Sequence, residues 1–79
     1  MIYKKWIAKT LISINPEINK FIKKKNFNLI NNGMLDSLMI VRLVYEIEKK
    51  IKKKINISRI KREVFFNIDS IERKFFNEK

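Results

Sequence analysis

The stretch that decides the fold is Leu29-Ile30-Asn31-Asn32-Gly33-Met34-Leu35-Asp36-Ser37-Leu38, followed at once by Met39-Ile40-Val41-Arg42-Leu43-Val44-Tyr45-Glu46-Ile47-Glu48. In the second part, Ile40, Val44, Ile47 and Ile51 recur at spacings of four, three and four, and Leu43 widens the stripe. That period puts them on one face of a helix, predicted over residues 37–54. Asp36 or Ser37 stands where such a helix takes its N-cap. Lys49, Lys50, Lys52, Lys53 and Lys54 crowd the predicted last turns, where cations complement the negative end of the helix dipole.

The first part reads as a loop marked by Asn26, Asn28, Asn31, Asn32 and Gly33. Leu29 and Leu35 are apolar residues within it and are expected to pin it to a core. An Asp–Ser pair at the first turn of a long helix places an exposed hydroxyl beside unpaired backbone N–H groups. A phosphate attached there meets those donors and the positive end of the dipole. Read alone, Asp36–Ser37 is also an ordinary helix cap.

Working outward, Tyr3, Ile7, Leu11 and Ile14 share a face and predict a helix over residues 2–14, with Lys4, Lys5 and Lys9 largely on other faces. Asn15–Pro16 ends it, because proline donates no hydrogen bond and biases the residue before it away from helical angles. Pro16 then opens a short helical segment that turns Ile18, Phe21 and Ile22 inward, with Lys23–Lys25 at its end. Beyond residue 54, a connecting stretch leads to a short helix near 59–64 and a last helix near 68–77. Ile68, Ile71 and Phe75 give that helix its stripe, and Asp69, Ser70 and Glu72 its polar start. The expectation is an all-α chain, a single domain over residues 1–79 with three main helices and a short one before the last. Phe65 and Phe75 are expected in the core; Trp6 and Phe66 are left open between core and surface.

The composition removes several classes of function. With no Cys and no His among 79 residues, zinc sites, thiolate nucleophiles and histidine acid–base chemistry are excluded. No apolar run is long enough to span a membrane, and the N-terminus lacks the apolar block of a signal peptide, so a cytoplasmic location is expected. The formal net charge is +11. Its excess is carried by Lys, with Arg only at positions 42, 59, 62 and 73, beside abundant Ile and Asn. That mixture reads first as compositional bias, since Arg is favoured where phosphates are gripped bidentately. The alternative is a basic domain binding nucleic acid nonspecifically through Lys23–Lys25, Lys49–Lys54, Lys61 and Arg62. A further alternative sets the Lys-rich helices against an anionic membrane surface.

With Gly33-Met34-Leu35-Asp36-Ser37-Leu38 in view, the chain resembles the acyl and peptidyl carrier proteins. Their signature is Gly-x-Asp-Ser-Leu, or Gly-x-x-Asp-Ser in some branches, opening the second helix. The run from Leu29 to Ser37 is closest in motif to D-alanyl carrier proteins and related stand-alone aminoacyl carriers. Where those commonly have two acidic residues before the glycine, this chain has Asn31 and Asn32. Val41-x-x-Val44-x-x-Ile47-Glu48, and later Glu63-Val64-Phe65-Phe66-Asn67-Ile68-Asp69-Ser70-Ile71, are similar to the family's second helix and to its Glu-Asn-Phe-x-Thr/Ser-Ile-x-x-Ile signature. The resemblance covers roughly residues 27–77.

The resemblance implies a four-helix bundle of acyl-carrier-protein type and no catalysis by the chain itself. It implies a 4′-phosphopantetheine arm on Ser37, whose thiol carries an acyl or aminoacyl thioester. Asp36 and Leu38 would serve recognition by a phosphopantetheinyl transferase, and Met39 and Arg42 would meet partner enzymes. Those partners are a loading ligase or adenylation enzyme and a downstream acyltransferase or synthase; the chain is expected to be a monomer that binds no specific nucleic acid. Asp69–Ser70 is a rival attachment site, but no glycine loop precedes it. Carrier proteins are typically acidic, so the charge of +11 sets this chain apart from the family's usual electrostatic steering.

Overall fold

The structure is a computed structural model that describes residues 3–24 and 26–76. All regular elements among them are helical: α1 (Lys4–Ile14), α2 (Ser37–Ile51) and α3 (Ile68–Phe75), with 3-10 helices at Pro16–Lys20, Ile57–Arg59 and Arg62–Phe65. The radius of gyration is 11.6 Å, the value of roughly 11.6 Å expected for a compact chain of this length.

One apolar cluster holds these elements together. It takes Ile7 and Leu11 from α1, Ile18 from the first 3-10 helix, and Leu43, Val44 and Ile47 from α2. Phe65, Ile71 and Phe76 complete it from the C-terminal third, and Leu29 and Leu35 enter from the long loop, as their apolar character within a polar segment predicts.

Asn15 ends α1 in an extended conformation, φ −140° and ψ 100°, as a residue before proline must. Its side chain then works in two directions: Oδ1 accepts from the Glu17 N–H at 3.1 Å, and Nδ2 donates to the Met34 carbonyl at 3.0 Å. The loop is tied down at its other end as well. The Leu29 N–H donates to the Phe66 carbonyl at 2.8 Å, and the Leu29 carbonyl accepts from Met34 and Leu35 at 2.8 and 3.1 Å. Gly33 closes the turn between them at φ +76°, a conformation that costs most residues steric strain.

Several predicted boundaries are corrected. Helix α2 stops at Ile51, not at residue 54, because Lys52 turns left-handed at φ 59° and ψ 41°. Glu48 holds the reversal: its carbonyl accepts from Lys52 and Lys53, and its Oε2 accepts from the Ile55 N–H at 2.7 Å. Lys52, Lys53 and Lys54 therefore lie beyond the helix, and only Lys49 and Lys50 sit in its last turn. The helix expected near 59–64 is two separate 3-10 turns, parted by extended backbone at Ile60 and Lys61.

In α3 the N-cap is Asn67, ahead of the polar residues expected to start the helix. Among the described residues, α3 closes at Phe75; the predicted end at residue 77 lies outside them. The deeper aromatic is Phe76 rather than Phe75, which packs half-buried against the core. The Phe76 ring stacks on Tyr3 at 4.4 Å between centroids and meets Trp6 edge-on at 5.8 Å. Trp6 is thereby engaged with the core rather than left as a free stacking face.

Candidate functional site

Asp36 caps α2 from an extended backbone, φ −119° and ψ −177°, and its Oδ1 accepts from the Met39 N–H at 2.9 Å. The Asp36 carbonyl accepts the Ile40 N–H at 2.9 Å, the first bond of the helix ladder. Of the two residues expected to compete for the cap, Asp36 takes it, which leaves Ser37 as the first helical residue. Ser37 is exposed, and among the described residues nothing is hydrogen-bonded to its Oγ. The N–H groups of Ser37 and Leu38 likewise have no partner in the described chain and face the open end of the helix.

Ser70 differs in each respect. Its Oγ donates to the Val64 carbonyl at 2.8 Å and accepts from the Asn67 N–H at 3.3 Å, while its own N–H reaches Asn67 Oδ1 at 2.8 Å. That reciprocal pair is a capping box, and Ser70 is half-buried. Its hydroxyl is already committed to the fold. The Ser37 hydroxyl is not.

The outer face of α2 continues from Ser37. Leu38, Val41 and Tyr45 are 82%, 54% and 55% exposed, at spacings of three and four that align them along one side of the helix. Arg42 lies beside them, exposed, with Nε 3.9 Å from Glu46 Oε2; Lys49 Nζ approaches Glu46 Oε1 at 3.6 Å and stands 4.8 Å over the Tyr45 ring. Arg42 is thus exposed on the outer side of α2, whereas Met39 is half-buried and packs against the core. The spacing of Leu38, Val41 and Tyr45 forms a second helical stripe opposite the core one.

The basic residues fall into separate groups. Lys49, Lys50, Lys52, Lys53 and Lys54 gather at the exit of α2, where Lys50 Nζ sits 5.6 Å above the Trp6 ring. Lys61 and Arg62 are exposed at the start of the third 3-10 turn, and Phe66 is half-buried beyond it. Lys23 and Lys24 lie on a different face, beside Lys4 and Lys5 of α1; Lys25 lies outside the described residues. On the same side, Lys4 Nζ meets Asp69 Oδ1 at 2.8 Å. The hydrogen bond between them, then their opposite charges, raise the Lys4 pKa and lower that of Asp69.

No helix among the described residues is long and apolar enough to cross a membrane. Comparison with known proteins returns nothing: no family model, curated protein or solved structure matches the chain.

Proposed function

We propose that the chain is a stand-alone carrier domain that holds an acyl or aminoacyl group on a 4′-phosphopantetheine arm attached to Ser37. The observation that carries this reading is the free Ser37 hydroxyl at the first position of α2, beside a cap supplied by its neighbour Asp36. Because Asp36 satisfies the Met39 amide, Ser37 is not needed as a cap and its oxygen can be esterified without unwinding the helix. The amides of Ser37 and Leu38 and the helix dipole then suit the charge of a phosphodiester.

The order of elements supports a four-helix bundle of acyl-carrier-protein type, with the short third helix reduced to the two 3-10 turns at 57–59 and 62–65. In attachment, the Ser37 proton leaves to the transferase as Oγ bonds to the β-phosphorus of coenzyme A, and the P–O bond to the adenosine bisphosphate breaks. The arm supplies the thiol that this cysteine-free chain lacks. The chain's own part is to present the hydroxyl, screen the phosphate and offer a docking face. We assign that face to Leu38, Val41, Tyr45 and Arg42, so that docking is chiefly apolar and independent of the acidic steering used by the family. The carrier acts as a monomer in the cytoplasm, loaded by a ligase or adenylation enzyme and unloaded by an acyltransferase or synthase.

The test is intact mass after incubation with coenzyme A and a broad-specificity phosphopantetheinyl transferase. The expected result is a gain of one phosphopantetheine in wild-type and in Ser70→Ala, and none in Ser37→Ala. A folded wild-type chain that gains no mass with several transferases overturns the reading.

A further inference from the structure

We propose that a groove away from α2 binds a single-chain amphiphile with an anionic head group. The groove has a volume of about 590 Å³ and lies between α1, the segment around Phe21–Phe27 and the start of α3. That size falls in the range of small-ligand clefts, roughly 300–1,000 Å³. No residue of α2 lines it, so it is separate from Ser37 and its outer face.

The floor is apolar: Ala8, Phe21, Ile22, Phe27, Leu29 and Ile68 line it. The rim is cationic, with Lys4 and Lys5 on one side and Lys23 and Lys24 on the other. Asp69 is the acidic residue of the lining, and Lys4 already neutralises it at 2.8 Å. Among the described residues, Lys5, Lys23 and Lys24 have no ion-pair partner. An apolar trough edged by these ammonium groups complements a molecule with an alkyl chain and a negative head.

Two features narrow the occupant. The Phe21 and Phe27 rings are stacked on each other at 4.6 Å and 1°, which leaves no slot for a nucleobase between them. The rest of the floor is aliphatic. None of these floor residues is among the exposed large hydrophobics of the described residues, Leu38, Val41, Tyr45 and Ile57. The apolar floor is thus less exposed than the outer face of α2 and suits one alkyl chain laid along it better than the flat face of a bilayer. The occupant is a monomeric amphiphile, not a membrane.

The test is an amide-resolved NMR titration of the full chain with octyl, decyl and dodecyl phosphate, each kept below its micelle concentration. Inorganic phosphate, uncharged decyl maltoside and anionic phospholipid vesicles are run as comparisons. The expected result is a set of shifts centred on Ala8, Phe21–Lys24, Phe27 and Ile68. Affinity should rise about two- to fourfold per added methylene. The exposed double variant Lys23→Glu/Lys24→Glu should bind about tenfold more weakly, and Ser37→Ala should bind as wild-type does, which separates this site from the carrier reading. Equal binding of decyl maltoside, the same shifts with inorganic phosphate alone, shifts centred on Leu38, Val41 and Tyr45, or a response to vesicles without one to monomeric alkyl phosphates would each overturn the proposal.

Discussion

The side-chain amide of Asn15 donates to the carbonyl of Met34 at 3.0 Å, joining the end of α1 to the loop two residues before Asp36. The same side chain caps the first 3-10 helix through the Glu17 amide. One residue thus ends a helix, starts the next turn and fixes the approach to Ser37. Asn15→Ala removes both bonds and leaves the extended backbone intact. We expect a loss of about 1–2 kcal/mol, read as a lower urea midpoint at unchanged m-value. A midpoint equal to wild-type would show that the loop is held by Leu29 and Leu35 alone.

Gly33 stands at φ +76°, and a Cβ added there would meet nothing within 4 Å. The cost of Gly33→Ala is therefore backbone strain without a clash, about 1–2 kcal/mol by denaturant unfolding. If Ser37 carries the arm, its rate of modification should fall as well, because the turn delivers Asp36 to the cap position. A variant as stable as wild-type would mean that the turn relaxes into another conformation.

Lys52 presents the opposite case: a side chain in the left-handed position that glycine usually fills at a helix end. Lys52→Gly should raise stability by about 0.5–1 kcal/mol, observable as a higher melting temperature. A decrease would show that the reversal depends on the Lys52 side chain rather than on Glu48 and Ile55.

The ion pair between Lys4 and Asp69 predicts a pH dependence. Asp69 is held below its ordinary 3.8 in the folded chain. Its contribution is present above that value and is lost as pH falls through the depressed one. Lys4 is raised above its ordinary 10.5, so its share is present below that value and is lost as pH rises through the raised one. Both groups are exposed, and salt screens them. The melting-temperature difference between wild-type and Asp69→Asn should be present near neutral pH in low salt, and should shrink both in strong acid and in high salt. A difference that persists in strong acid would assign it to packing instead.

The two aromatics Phe76 and Tyr45 mark the core and the outer face of α2. Phe76 is 9% exposed and packs against Tyr3 and Trp6, whereas Tyr45 is 55% exposed on α2. Phe76→Ala should cost about 3–5 kcal/mol, a large part of the stability of so small a domain. Tyr45→Ala should change stability by no more than about 0.5 kcal/mol. If the outer face of α2 is the docking surface, Tyr45→Ala slows loading by the partner ligase while leaving the melting temperature in place.

The three main helices and the serine that opens the strongest of them were legible in the residues alone. Apolar spacing along α1 and α2 states which side of each helix meets the core, and Asn15–Pro16 states where α1 must stop, because both follow from local backbone geometry. Helix ends were less legible. The stop at Ile51 depends on Glu48 reaching Ile55, and the choice of Asn67 as cap depends on Ser70 answering it; neither leaves a periodic mark. Tertiary structure alone decided that Phe76 rather than Phe75 is buried, since Tyr3 and Trp6 supply the surface that covers it. It also decided which hydroxyl is free: Ser37 and Ser70 both follow an Asp near a helix start, but only Ser70 lies within reach of the Val64 carbonyl. The cationic groove belongs to the same class. Lys4 and Lys5 lie far in sequence from Lys23, Lys24 and Asp69, and only the packing of α1 beside α3 and the Phe21–Phe27 segment brings their charges to one rim.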